Sequence, residues 1–260
     1  MYEPELGSDP NLSIPGFPRC VGYAATKSPF VITCEHASNS LPPEMIPTNS
    51  DLQYMDTHWA WDVGAAQVVE ELVTITESPA VLATLSRLVC DVNRDPTHDN
   101  WIRKHALGYY FSFNANVSEE ERTRRRIKYY EPYHRAVDSM LRIRMKLEPQ
   151  PLLIAIHSFT PHYEGQDRWM EMGVVFDECT EQAHKLFASL QAEGFQAALN
   201  EPYSGALGQM YSPRRHGQAH GLPYLELEMR QDLFSTPERA KKTTEAVVRA
   251  IMSIIPDPLG

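Results

Sequence analysis

Three segments of this 260-residue chain set metal-binding or proton-handling side chains at the ends of short apolar runs. Glu35-His36 follows Phe30-Val31-Ile32-Thr33-Cys34, His157-Ser158 follows Leu152-Leu153-Ile154-Ala155-Ile156, and Glu226 and Glu228 lie within the run from Tyr224 to Met229. A catalytic zinc ion takes three protein ligands, usually histidine with one carboxylate, and leaves a fourth position to water. His36 and His157 suit that need. No His-Glu-x-x-His spacing is present, so the ligands have to come from separate elements. Glu226 and Glu228, two apart on a strand, point to one face and either could reach the site. A glutamate on an interior strand is costly to bury unless it is paired or catalytic.

The elements that must position these residues read as strands alternating with helices. The 30–34 and 152–156 runs are short, apolar and bounded by polar loops, which predicts buried strands. Two further extended segments are expected at 81–85 and 88–92, the second ending at Asn93-Arg94-Asp95-Pro96. Helical spacing of Trp61, Ala65, Val68, Val69 and Leu72 predicts a helix over 59–75, with Asp56 or Thr57 as its N-cap. The longest helical pattern runs from Ser118 to Lys146, with Ser118 and Glu121 placed for a capping box and Pro149 and Pro151 beyond its end. A strand near 174–176, a helix over 180–193, a long functional loop from Pro202 to Gly221, the 224–229 strand and a helix over 236–255 complete the pattern. The fold class expected is α/β, a three-layer sandwich with a mostly parallel central sheet and helices on both faces. Parallel strands bring their ends to one sheet edge, so residues far apart in sequence can converge there. The Pro- and Gly-rich residues 1–28 read as an extended N-terminal arm before a single domain over 29–260.

A formal net charge of −10 disfavours nucleic-acid and anionic-membrane partners, because neutralising phosphates takes clustered cations. The cluster Arg122, Arg124, Arg125, Arg126 and Lys128 follows Glu119 to Glu121, an order that suits the helix dipole and reads as a solvated face. The 4 cysteines, Cys20, Cys34, Cys90 and Cys179, form no paired metal motif or disulfide framework, so a reducing cytoplasm is expected. Residues 1–18 lack a basic and an apolar region of the secretory kind, and no apolar run approaches the roughly 18 residues of a membrane span.

At Cys34-Glu35-His36-Ala37-Ser38-Asn39, Asp56-Thr57-His58-Trp59 through Asp62, Asp91-Val92-Asn93-Arg94, His157-Ser158 and Leu227-Glu228-Met229, the chain resembles the N-formylglutamate amidohydrolase family over residues 30–235. Several of these segments also resemble zinc carboxypeptidases, in the same order, at His36, Asn93 with Arg94, His157, and Glu228 with Arg230. The resemblance implies one Zn²⁺ per chain bound by His36 and His157, a substrate carboxylate held by Asn93 and Arg94, and Glu228 activating the attacking water. It also implies a small anionic N-acyl amino acid as the partner, N-formyl-L-glutamate first, with formate and glutamate as products. Zinc lowers its water's pKa towards roughly 7, a nearby carboxylate can take the proton, and a planar guanidinium grips a carboxylate bidentately.

One departure from the carboxypeptidase pattern matters. The residue three after the first histidine is Asn39 rather than a carboxylate, so the third ligand has to come from elsewhere. Asp62 leads, with Asp56 and Glu35 as alternatives. A doubly anionic substrate also asks for more than one cation. Arg87, Arg103, Arg214, Arg215 and His216 are the pool, with Arg87 and Arg214 preferred and Ser158 beside them as a substrate contact. His134, His105 and the Tyr129-Tyr130 pair read as packing or hydrogen-bonding residues.

Overall fold

The computed structural model describes residues 18–22, 28–148 and 150–254. Its seven-stranded central sheet runs in the order β1-β3-β2-β6-β11-β9-β10. These strands are β1 (Arg19–Val21), β2 (Phe30–Cys34), β3 (Ala80–Leu82), β6 (Leu152–Phe159), β9 (Met172–Val175), β10 (Ala197–Leu199) and β11 (Tyr224–Arg230). Two small hairpins stand outside the sheet: β4 (His105–Ala106) with β5 (Tyr109–Tyr110), and β7 (His162–Tyr163) with β8 (Gln166–Asp167). β3, β2, β6 and β11 are parallel to one another, whereas β1 joins β3 and β9 joins β11 in antiparallel register. Arg19–Val21, expected in the arm, is therefore an edge strand of the sheet; residues 1–17 and 23–27 of that arm lie outside the described residues.

Every residue of β2 and β6 is buried, as continuous apolar runs covered on both faces require. Phe30, Ile32 and Cys34 pack with α2 (Ala65–Thr76), α5 (Thr180–Ala192) and α7 (Pro237–Met252), while Val31 and Leu153 pack with α4 (Glu131–Arg144) on the other face. The three-layer α/β sandwich is thus the observed architecture. Among the described residues no helix is long and apolar enough to cross a membrane.

Local chemistry explains where the elements depart from expectation. A short helix, α1 (Asn49–Met55), opens on a Thr48–Asp51 capping box, and Asp56 is its C-cap rather than the N-cap of the next helix. α2 begins only at Ala65, because Gly64 before it sits at φ 86° and a Cβ there would lie 2.3 Å from the Phe234 ring. Residues 88–92 are turn and irregular backbone, not a strand; Val89, Cys90 and Val92 are buried in a cluster with Trp101 and Tyr129, and Leu88 in one with Phe111, instead of against a sheet neighbour. The long helix is α3 (Glu119–Arg125), a π-helical turn at Arg126–Tyr130 and α4, the irregularity falling just before Pro132, which has no N–H to offer the preceding turn. The expected 202–221 loop contains α6 (Tyr211–His220). Pro213 stands in its first turn, where proline is tolerated, and Gly217 lets α6 approach the Tyr224 ring, which a Cβ would meet at 2.1 Å.

Candidate active site

Strand register builds the site. Glu228 lies opposite His157 and Glu226 opposite Ala155 in the β6–β11 pair, so His157, Glu226 and Glu228 share one sheet face at the C-terminal ends of these strands. β2 ends beside them and delivers Glu35 and His36, and the turn before α2 delivers Asp62, whose backbone N–H donates to the His36 carbonyl at 3.0 Å. All six side chains are buried.

His36 Nδ1, His157 Nδ1 and Asp62 Oδ2 form a triangle with sides of 3.1, 2.9 and 3.2 Å. Ligand atoms around a tetrahedral zinc ion stand about 3.3–3.6 Å apart at ordinary bond lengths, so the triangle fits with a few tenths of an ångström of expansion. The opposite ring nitrogens decide what these atoms offer. His36 Nε2 lies 2.7 Å from Asp91 Oδ1, and His157 Nε2 lies 3.0 Å from Glu35 Oε2, so each ring donates its Nε2–H to a carboxylate and presents a lone pair at Nδ1. Ser158 N–H donates to Asp62 Oδ2 at 3.1 Å, fixing the carboxylate. With both Nε2–H groups so committed, the three inward-facing atoms can give their lone pairs to one cation, a metal ion or, without one, a proton shared with Asp62.

The surrounding field agrees. Burial opposes charge on His157, yet Glu226, Asp62 and Glu35 push its pKa well above the ordinary value, so positive charge is favoured at this point. Burial likewise opposes charge on Asp62, but His36 and His157 hold its carboxyl well below the usual range. Burial pushes Glu228 well above that range, with Glu226 and Asp62 adding to the rise against His157; its Oε2 has no hydrogen-bond partner. Burial also pushes Glu226 up to about 7, against His157 and with Glu35 adding. The arrangement can therefore hold a divalent ion with the lone pairs of His36, Asp62 and His157, and it keeps a protonatable carboxylate one strand away.

The family model for N-formylglutamate amidohydrolase matches residues 28–235. The chain belongs to that family. The crystal structure of a gene product from Agrobacterium tumefaciens is similar at 28% identity and a TM-score of 0.81, covering 92% of this chain and 96% of the other. An N-formylglutamate amidohydrolase from Ralstonia eutropha shares the fold at a TM-score of 0.64 and 17% identity, covering 92% of this chain and 98% of the other. No curated protein matches the chain.

In this N-formylglutamate amidohydrolase family member, His36, His157 and Asp62 come together, and the other two residues weighed as third ligand do not complete the triangle. Asp56 is exposed and accepts from Asn39 Nδ2 at 3.0 Å, and Glu35 stands behind His157 on the far side of its ring. Arg87 and Arg94 both grip Asp91 Oδ2, Arg87 through Nε and Nη2 at 3.1 and 2.7 Å and Arg94 through Nε at 3.0 Å. Arg87 Nη1 also reaches to 3.7 Å from Asp62 Oδ1, beside the triangle. The Asn93 amide spans Ser212 N–H at 2.8 Å and Glu226 at 3.5 Å, which anchors the loop to α6.

Two residues expected as substrate contacts have other partners in the structure. Arg214 pairs with Asp177 at 3.4 Å, and Asp177 also accepts from Tyr224 at the start of β11, four residues and about 13 Å of strand away from Glu228. Ser158 contributes its backbone N–H; its side chain lies on the opposite sheet face from His157, and its hydroxyl accepts from Gln231. Sequence reasoning gave no role to Asp91, which orients His36 and ties down two arginines. Its signal was present: it is the first residue of the Asp91-Val92-Asn93-Arg94 motif and stands four residues after Arg87.

Proposed function

We propose that this chain is a zinc-dependent amidohydrolase that cleaves the amide bond of an N-formyl or other small N-acyl amino acid, N-formyl-L-glutamate foremost, to formate and L-glutamate. The observation that carries the reading is the convergence of His36 Nδ1, His157 Nδ1 and Asp62 Oδ2 with both Nε2–H groups committed elsewhere. Zinc held by these three residues supplies Lewis acidity and lowers the pKa of water towards roughly 7.

Glu228 accepts a proton from the attacking water as its oxygen adds to the scissile carbonyl carbon. The same carboxyl then returns that proton to the leaving nitrogen as the C–N bond breaks, so the acid and base roles fall on one residue and the protons balance. Burial, which raises the Glu228 pKa, favours the second half of this exchange. Arg87 faces Asp62 with Nη1 and stabilises the negative charge that grows on the carbonyl oxygen. Arg94, held through Nε by Asp91 and with Nη1 3.5 Å from His98 Nε2, takes the substrate's α-carboxylate.

Formate release from N-formylglutamate tests this directly. Glu228→Gln is expected to keep zinc at the wild-type stoichiometry and cut kcat about 100- to 10,000-fold. Wild-type turnover in that variant removes Glu228 from the mechanism.

A further inference from the structure

Behind the metal triangle, between the end of β2, α4 and α6, lie four buried polar atoms without a direct hydrogen-bond partner: Glu35 Oε1, Tyr133 Oη, His134 Nε2 and Ser212 Oγ. All four residues are at most 2% exposed. Val31 packs with Tyr133 on the α4 side of the sheet, and alternation along β2 delivers Glu35 to that same side, where it meets His157. α4 supplies Tyr133 and His134, whose ring centres are 5.5 Å apart. α6 supplies Ser212 one turn before His216, and His216 Nε2 stands 2.8 Å from His134 Nδ1. Ser212 is also tied to the centre by hydrogen bonds. Its N–H donates to Asn93, and Asn93 donates to Glu226, which lies 3.7 Å from His157 Nε2.

The series on α6 fixes what these atoms offer. The Asp138 carboxylate stands 2.9 Å from both His216 Nδ1 and His220 Nε2 and can only accept, so each ring donates to it. Neutral His216 then has a bare Nε2, to which His134 donates its Nδ1–H. His134 is kept neutral by burial and by its cationic neighbours, so its own Nε2 carries a lone pair. Glu35 Oε1 is likewise an acceptor only, while Tyr133 and Ser212 each bring a hydroxyl proton. Both hydroxyls act on Glu35 without bonding it directly. Burial opposes the charge on Glu35, and His157 and then Ser212 bring its pKa down to about 2; burial and Glu35 push Tyr133 well above the ordinary value. Two acceptors and two donors match one water molecule, which donates twice and accepts twice.

We infer that one buried water molecule is bound among Glu35 Oε1, Tyr133 Oη, His134 Nε2 and Ser212 Oγ, and that through it Tyr133 and Ser212 act as positioning residues, holding the Glu35 carboxylate against His157. The water leaves none of the four buried groups unsatisfied. It also joins the two imidazole pairs into one hydrogen-bonded chain that runs from His157 to the partly exposed His220. The water site stands on packing and hydrogen-bond direction alone, whereas its effect on zinc rests on the metal reading.

A crystal structure of the zinc-loaded full chain, at a resolution that orders waters, is expected to show one water within about 2.6–3.2 Å of the four atoms. Nitrogen–proton correlation spectra of the imidazoles are expected to show His134 neutral with its proton on Nδ1. Direct bonds from the two hydroxyls to Glu35 and His134 with no water between them, or a His134 proton on Nε2, overturn the site. Tyr133→Phe and Ser212→Ala each remove one hydroxyl. Competition with a zinc chelator is expected to show affinity about tenfold weaker in each, the low end for groups that support a metal ligand, and Ser212→Thr, which keeps the hydroxyl, recovers part of the loss. Unchanged affinity in both hydroxyl-deletion variants overturns the positioning role. If wild type binds no zinc, the metal reading falls, and the crystal density and the His134 tautomer still decide the water site.

Discussion

His36 and His157 bring their Nδ1 atoms to 3.1 Å, and His134 and His216 bring Nδ1 and Nε2 to 2.8 Å, so the molecule holds two buried imidazole pairs, each with an aspartate. In the first pair the carboxylates Asp91 and Glu35 sit behind the rings, and the remaining lone pairs converge with Asp62. In the second, hydrogen bonds run in series: His134 to His216, His216 Nδ1 to Asp138 at 2.9 Å, with His220 reaching the same aspartate. A series can alternate donor and acceptor and needs no ion, whereas a convergence of acceptors needs a proton or a metal ion between them. Burial and the neighbouring His216 and Arg215 hold the His134 pKa well below the ordinary value, consistent with a neutral link between α4 and α6. Composition alone, two histidines and an aspartate, does not distinguish the two regions; the direction of the lone pairs does.

Substitutions can break this contrast. The largest effect is expected at Glu228, where the glutamine variant loses turnover and keeps zinc. Next, Asp91→Asn removes the carboxylate behind His36, and titration against a zinc chelator should show affinity falling about 10- to 100-fold. His216→Ala should behave in the opposite way. It strands the buried His134 ring and opens a gap under α6, so denaturant unfolding should show about 2–3 kcal/mol lost with zinc content unchanged. A drop in zinc content with His216→Ala would erase the distinction between the two clusters.

A smaller effect is expected away from both clusters. Asp51 accepts from Thr48, Tyr109 and Ser112, and although burial opposes its charge, these hydrogen bonds bring its pKa down to about 2. A depressed carboxylate stabilises the fold above its unfolded pKa of roughly 3.9, and this contribution is lost as pH falls through the folded value. Wild type should therefore lose stability between about pH 4 and 2 more steeply than Asp51→Asn, as followed by urea midpoints across that range.

The sheet and the two histidines were legible because runs such as Phe30–Cys34 and Leu152–Ile156 are unbroken and end in polar residues. The third ligand was legible only in part: Asp62 led, with Asp56 and Glu35 left open beside it. Trp61, Ala65, Val68 and Leu72 carry helical spacing across a region whose first residues are turn, so Asp56 and Asp62 seemed to share one helix; Gly64, with φ at 86°, is the break that separates Asp62 from α2. The antiparallel entry of β9 and the helix at 211–220 were hidden for related reasons. A four-residue strand carries no mark of direction, and Pro213 and Gly217 look like loop residues until the packing on Tyr224 is known.

The central claim is a cation held by three side chains, and elemental analysis of the purified full chain tests it most directly. About one zinc per chain in wild type and in His216→Ala, with less than about a tenth of that in His157→Ala and Asp62→Ala, is the expected pattern. Equal metal content in wild type and His157→Ala, at whatever stoichiometry, would contradict the account.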